Sequence, residues 1–134
     1  MGETRGLLSA ASYAMIKLQE TKGCRNMPTQ EIERLKDCFV AQLAPLKIYL
    51  FGSYANGSWH EGSDFDFYIV VDDRSDDLAA LTTQAYRAIR HIKQHPVDIV
   101  VGTASRFEHR KNIPSVEHDV DREGVLLYAG SALQ

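Results

Sequence analysis

The chain has 134 residues, of which 44% are hydrophobic and 25% are charged, which suits one globular domain and leaves little material for a second core. Its formal net charge of −3 argues against extended binding to DNA or RNA, because such binding needs clustered Lys and Arg to displace counterions. No apolar run reaches the roughly 20 residues that a membrane span requires, and the start does not resemble a signal peptide. Cys24 and Cys38 are too few for a metal framework, so we expect reduced thiols in a cytoplasmic protein.

The first 26 residues form an N-terminal extension, and residues 27–134 are predicted to form the single folded domain. Apolar residues recur in the extension at helical spacing, at Leu8, Ala11, Met15 and Leu18. Gly23 would end such a helix. The pattern fits a helix that packs on the domain or on a partner, and it equally fits an extension added ahead of a natural start at Met27.

The remaining pattern alternates helices and strands. In chain order it predicts a helix capped by Thr29 and ended by Pro45, a strand over 47–51 and one helical turn over 54–57. A strand over 64–71, an amphipathic helix over 78–92 and a strand over 97–101 follow. The last predicted elements are a short helix over 104–110, a helix capped by Ser115 that runs to about Arg122, and an extended segment over 125–128. Strands that alternate with helices indicate an α/β sheet domain.

Three aspartates lie on two of these strands. Side chains alternate between the faces of a strand, so Asp64 and Asp66 share one face, about 6.6 Å apart along the strand, while apolar residues fill the other. In the strand 97–101, Asp98 points away from the apolar face in the same way. If the two strands are neighbours, the three carboxylates converge. Oxygen ligands of this kind suit two Mg²⁺ ions.

A candidate anion-binding turn precedes the acidic strand. Gly52 and Ser53 follow a strand and precede a helical turn, where backbone N–H groups attract phosphate. Gly52 permits close approach of the backbone, and the Ser53 hydroxyl can donate to a phosphate oxygen. The sequence therefore predicts a phosphate site beside a metal site.

The order of these motifs resembles the signature of the polymerase-beta-like nucleotidyltransferase superfamily: Gly-Ser, a spacer, Asp-x-Asp, and a later Asp on another strand. The stretches that carry the resemblance are 50–57 and 62–67, with Asp98 as the later carboxylate. The ending 121–128 resembles the minimal nucleotidyltransferases, which are often paired with HEPN-domain proteins. The resemblance covers roughly residues 29–130, and the combined motifs are far more specific than any one alone.

The resemblance implies a palm-like fold with a mixed sheet flanked by helices. It implies that Gly52 and Ser53 hold the β- and γ-phosphates of a nucleoside triphosphate, and that Asp64 and Asp66 bind two Mg²⁺ ions. Asp98 would bind the metal nearer the acceptor and help to activate its hydroxyl. The reaction would be in-line attack on the α-phosphorus with loss of pyrophosphate.

Three functions are compatible with this site. The first is transfer of a nucleoside monophosphate, AMP from ATP in the main hypothesis, to a tyrosine hydroxyl of a HEPN-type toxin, with this chain as the antitoxin. The second is an antitoxin that neutralises its partner by contact alone. The third is a nucleotidyltransferase for small molecules of the antibiotic type, in which a homodimer could build the drug pocket.

Several side chains near these motifs allow two interpretations. Trp59 could stack on a base or pack within its loop, and His60 and Glu61 are expected to be solvated. Arg87 and Arg90 could reach a triphosphate, although a solvated helix face is the simpler interpretation.

Overall fold

The computed structural model describes residues 27–130, in which four strands form one sheet with helices on both faces. The predicted N-terminal helix and Cys24 lie outside the described residues. The elements in chain order are α1 (Thr29–Leu43), β1 (Lys47–Phe51), α2 (Ser53–Asn56), β2 (Phe65–Val71), α3 (Leu78–Ile89), β3 (Val97–Thr103), α4 (Ala104–Arg110), α5 (Val116–Glu123) and β4 (Val125–Ala129). Within this part of the chain, no helix is long and apolar enough to cross a membrane.

The strands lie in the order β3-β2-β1-β4. β1 is antiparallel to both β2 and β4, whereas β2 and β3 are parallel. The parallel pair requires a crossover, which α3 provides. The sheet is therefore mixed and flanked by helices, which confirms the predicted fold class.

The larger core fills the sheet face that is covered by α1 and α3. On β2, the alternating residues Phe65, Phe67 and Ile69 are fully buried there. Phe39 of α1 contacts Phe67 edge to face, with ring centroids 5.1 Å apart, and Ile89 of α3 packs in the same cluster. Burial of these side chains places the odd-numbered residues of β2 inward and thereby turns Asp66 to the other face.

The opposite face is covered by α4 and α5 around a buried polar network. The hydroxyl of Tyr68 donates to Glu117 (2.7 Å), whose carboxylate also accepts from the Nε groups of Arg106 (3.3 Å) and Arg110 (3.0 Å). Gly102 is required here, because a Cβ at that position would collide with the Tyr68 hydroxyl. Burial alone would raise the pKa of Glu117, but the hydrogen bonds from Tyr68, Arg110 and Arg106 outweigh it and lower that pKa to about 2.

The boundaries of some elements differ from the prediction. Thr29 is the first helical residue rather than the cap, because Pro28 occupies the cap position and the Thr29 hydroxyl donates to the Met27 carbonyl (3.3 Å). α3 ends at Ile89, and Ile92 lies in the turn that follows while still packing on the core. The caps supplied by Ser115 for α5 and by Asp77 for α3 both accept a backbone N–H, at 3.1 Å and 3.0 Å respectively.

The buried network predicts a specific loss of stability in Glu117→Gln. At pH 7 the variant should lose about 2 kcal/mol of unfolding free energy, because the two arginines lose a charged acceptor. The lowered pKa implies that this contribution is complete above pH 4.5 and disappears as the pH falls through about 2. Urea denaturation across this pH range measures the difference.

Glu123→Gln is the matched control, since Glu123 is exposed at the end of the same helix. This variant should remain within about 0.5 kcal/mol of the native chain. Equal stability of the two variants at pH 7 would contradict the assigned role of Glu117.

Candidate active site

The parallel pairing of β2 and β3 places two of the predicted carboxylates side by side. Asp66 is the register partner of Asp98, and both point to the face opposite Phe65 and Ile99. Directly paired residues of neighbouring strands point to the same side of a sheet. The structure therefore brings Asp66 and Asp98 together, as the alternation along the strands predicted.

The third aspartate, Asp64, lies exposed just before β2 begins at Phe65. Burial raises the pKa of Asp66 to about 6, and the charges of Asp98 and Asp64 and a hydrogen bond with Asp98 contribute in that order. Asp64 thus acts on Asp66 through its charge. The pair Asp66–Asp98 is the part of the predicted triad that the structure places in contact.

Gly52 determines how closely the turn after β1, which is the candidate phosphate-binding site, approaches the Asp66–Asp98 pair. Its φ of 76° lies in the region that side chains other than glycine rarely adopt, and an added Cβ would collide with the Asp66 carboxylate. The preceding residue, Phe51, is the register partner of Asp66 on β1. Only glycine therefore allows the turn after β1 to lie directly against the acidic pair.

The short helix α2 holds Ser53 at this turn. Ser53 is its first residue and is half-buried, and Gly57 ends the helix in the left-handed conformation with φ 96°. Tyr54 anchors the helix in the core, where its ring stacks on Trp59 (5.0 Å between centroids) and meets Phe65 edge to face (4.8 Å). Trp59 is 7% exposed, so the structure favours the packing interpretation over a base-stacking role.

The buried Glu31 and the half-buried His95 form a hydrogen-bonded pair at the starts of β2 and β3. Glu31 of α1 accepts the N–H of Gln94 (2.6 Å) and pairs with Nδ1 of His95 (2.6 Å). The Phe65 N–H donates to the Pro96 carbonyl (2.9 Å), so the same loop is tied to β2. Sequence reasoning missed this pair because Glu31 and His95 are 64 positions apart and neither belongs to a recognisable motif.

The Asp66–Asp98 pair is better suited to binding a divalent cation than to remaining without one. Burial and then the charge of Asp98 raise the pKa of Asp66, so the ionised pair is unfavourable and a cation would reverse that cost. The ligand atoms that the aspartates offer are carboxylate oxygens, which suit Mg²⁺. No three His, Cys, Asp or Glu side chains within residues 27–130 are already grouped as a metal site, so Asp64 would have to turn toward the pair to complete one.

A separate cavity of about 540 Å³ lies away from the acidic pair. Residues of α1, α2 and the loop before β3 line it, including Glu31, Tyr54, Trp59 and His95. Neither Asp66 nor Asp98 contributes to its wall. The cavity is therefore distinct from the candidate site, which is an open surface where β1 ends and β2 and β3 begin.

Comparison with known proteins places the chain in a family. The family model of the nucleotidyltransferase domain matches residues 32–122, which is more than half of the sequence. The chain belongs to this nucleotidyltransferase domain family, which confirms the predicted likeness to nucleotidyltransferases and the predicted class of enzyme. No curated protein matches the chain.

One of three similar solved structures supports the fold. A candidate nucleotidyltransferase from Sulfolobus solfataricus is 15% identical, covers 92% of this chain and 90% of its own, and superposes with a TM-score of 0.53. A toxin–antitoxin structure with AMP-PNP is 24% identical over 74% of each chain, with a TM-score of 0.46. A mutant MntA–HpeT toxin–antitoxin structure is 22% identical over 74% of each chain, also at 0.46.

Gly52→Ala should damage the site itself. The strained φ and the collision with Asp66 should lower the free energy of unfolding by about 2 kcal/mol and nucleotidyl transfer by at least about 100-fold. Gly62→Ala is the control, because a Cβ there meets only His60, at an ordinary distance of 3.5 Å. Thermal melting and a transfer assay measure the two effects, and an active, stable Gly52→Ala variant would refute the requirement.

Removing one charge of the pair should stabilise the metal-free protein. Asp66→Asn should raise the free energy of unfolding at pH 8 by about 1 kcal/mol, with the gain shrinking as the pH falls below about 6, because ionised Asp66 is penalised. Mg²⁺ should raise the Tm of the native chain but not of this variant. Asp76→Asn, in the exposed turn before α3, should respond to Mg²⁺ like the native chain. An undiminished Mg²⁺ response in Asp66→Asn would contradict metal binding at the pair.

Proposed function

We propose that the chain transfers a nucleoside monophosphate, AMP from ATP in the first instance, onto an acceptor hydroxyl. The acceptor in this proposal is a tyrosine of a HEPN-type toxin, which the transfer neutralises, so that the chain acts as an antitoxin. The observation that carries the proposal is the contact of Asp66 and Asp98 directly beside the Gly52–Ser53 turn. Membership of the nucleotidyltransferase family supports the class of reaction.

The turn after β1 would bind the triphosphate. The backbone at Gly52 is accessible because it carries no side chain, and the Ser53 hydroxyl can donate to a phosphate oxygen. Tyr54 fixes this turn against the core, so the donors need little reorganisation when the nucleotide binds. Preorganised donors contribute most where positioning dominates catalysis, as in phosphoryl and nucleotidyl transfer.

Asp64 and Asp66 would hold two Mg²⁺ ions, and Asp98 would help to hold the one nearer the acceptor. When bound, the ions would neutralise phosphate charge and favour ionisation of the acceptor hydroxyl. Asp98 is the more exposed of the contacting pair and lies on the edge strand, where an incoming acceptor can reach it. It can also orient that hydroxyl by accepting its proton in a hydrogen bond.

The order of the strands supports opposite positions for the triphosphate and the acceptor in the proposed reaction. The turn at Gly52 lies on the β1 side of Asp66, and Asp98 lies on the β3 side. A triphosphate bound at the turn would place its α-phosphorus near Asp66, with pyrophosphate toward β1 and the acceptor toward β3. This arrangement is the one that in-line displacement requires.

The proposed protein acceptor is supported by residues 121–128. A partner protein would supply the other half of the site. The resemblance of the ending to the minimal nucleotidyltransferases supports a HEPN-type partner in particular.

A transfer assay tests the proposal directly. Purified chain, co-purified partner and Mg²⁺ are incubated with each of the four nucleoside triphosphates, and intact mass reports addition of one nucleotide to the partner. ATP should give the largest gain, and Asp98→Asn should lower the rate by at least about 100-fold because one metal ligand is lost. Asp76→Asn, an exposed aspartate remote from the pair, should react at the native rate.

Neutralisation of the partner in cells separates catalysis from contact. The Asp64→Asn, Asp66→Asn double variant should fail to protect cells while still binding the partner. Full protection by this variant, with no nucleotide found on the partner, would instead support an antitoxin that acts by contact alone.

A further inference from the structure

An unpaired cationic surface lies at the C-terminal end of α3. Arg87, Arg90 and Lys93 are all exposed and line a shallow cavity of about 340 Å³, together with Thr83 and Tyr86. We name these three residues the α3 cationic cluster. Within residues 27–130, none of the three forms an ion pair, whereas Arg74, Arg106, Arg110 and Lys111 all do.

Tyr86 connects this cluster to the strand that carries Asp98. Its hydroxyl accepts the backbone N–H of Ile99 (2.9 Å), the residue that follows Asp98. β3 is an edge strand, so this N–H would otherwise face outward. The cluster therefore lies beside the outer edge of β3, near the start of the strand that carries Asp98, although the Asp98 side chain points to the opposite face of the sheet.

The α3 cationic cluster lies at the β3 edge of the sheet and not on the side where the triphosphate would bind. Gly52 and Ser53 follow β1, so β2 and β3 both separate them from the edge where Tyr86 is bonded. The edge beyond Asp98 is where the acceptor would approach in the proposed reaction. The cations are thus positioned to contact the partner protein that carries the acceptor hydroxyl, rather than the leaving pyrophosphate.

We propose that the α3 cationic cluster is the docking surface for acidic side chains that flank the acceptor hydroxyl on a partner protein. This inference rests on the proposed function and adds to it that the segment around the acceptor hydroxyl is negatively charged. Three cations complement a short run of Asp or Glu. They are too few for strong RNA binding, which gains affinity from many phosphate contacts, and the chain as a whole is acidic. The Tyr86 ring, 39% exposed, adds an apolar contact beside the charges.

A binding experiment without nucleotide tests the surface independently of catalysis. The probe is a fluorescently labelled synthetic peptide in which glutamates flank one tyrosine, and anisotropy reports its Kd. In the triple variant Arg87→Gln, Arg90→Gln, Lys93→Gln, the Kd should rise about tenfold at low salt, because each exposed ion pair contributes roughly a factor of two to three. Added salt should weaken binding to the native chain in the same direction.

A matched triple variant controls for net charge. Arg34→Gln, Lys47→Gln, Arg122→Gln removes three exposed cations from α1, β1 and α5, and its Kd should stay within about twofold of the native value. Equal weakening in both triple variants would overturn the proposal, as would absence of peptide binding. Tighter binding of a labelled single-stranded RNA oligonucleotide than of the peptide, lost in the α3 variant, would also overturn it in favour of a nucleic-acid surface.

A transfer experiment with a copolymer of Glu and Tyr then links the surface to the reaction. The α3 triple variant should raise the KM for this copolymer about tenfold and leave kcat and the KM for ATP unchanged. If the native chain transfers nothing to any acceptor, the proposed function fails while the peptide-binding result still stands. If transfer occurs and the α3 variant keeps the native KM, the docking surface fails and the proposed function survives.

Discussion

The contact between Asp66 and Asp98 is the constraint on which the rest of the site depends. It exists because β2 and β3 are parallel and in register, and because the apolar residues of both strands are buried against α1 and α3. If either strand slipped by one residue against the other, its carboxylate would turn toward the core. Burial of Asp66, and then the neighbouring charge of Asp98, raises the pKa of Asp66 and costs stability, a cost that binding of a divalent cation would remove.

The supporting structure around this pair keeps the repelling groups from moving apart. On one side, Glu31 and His95 hold the loop that leads into β3, and the Phe65 N–H bonds to the same loop. On the other face, the Tyr68–Glu117 hydrogen bond ties β2 to α5. Both anchors are buried polar interactions whose partners come from distant parts of the chain. Such interactions specify one arrangement because any alternative would leave a buried group without a partner.

Much of the fold and of the candidate site could be predicted, because both depend on local patterns. The alternation in β2 and β3 predicts which face carries Asp66 and Asp98, and the motif order predicts where the turn at Gly52 lies. What could not be predicted depends on tertiary contacts. Nothing near Glu31 in the sequence indicates His95, and the Tyr68 hydroxyl is accommodated by a glycine on another strand, Gly102. The position of Asp64, just outside β2, is likewise decided by where the strand pairing begins.

The two faces of the sheet also explain why the site is open. α4 and α5 cover the second face around Tyr68 and Phe107, but Asp98 remains exposed and Asp66 only half-buried at the other end. Water therefore reaches the carboxylates in the isolated domain, which weakens every electrostatic interaction there. A partner that covers this end of the sheet would exclude that water and strengthen the same charges. In the proposed reaction, an acceptor bound against the β3 edge would thus supply both the hydroxyl and the low-dielectric surroundings that favour transfer.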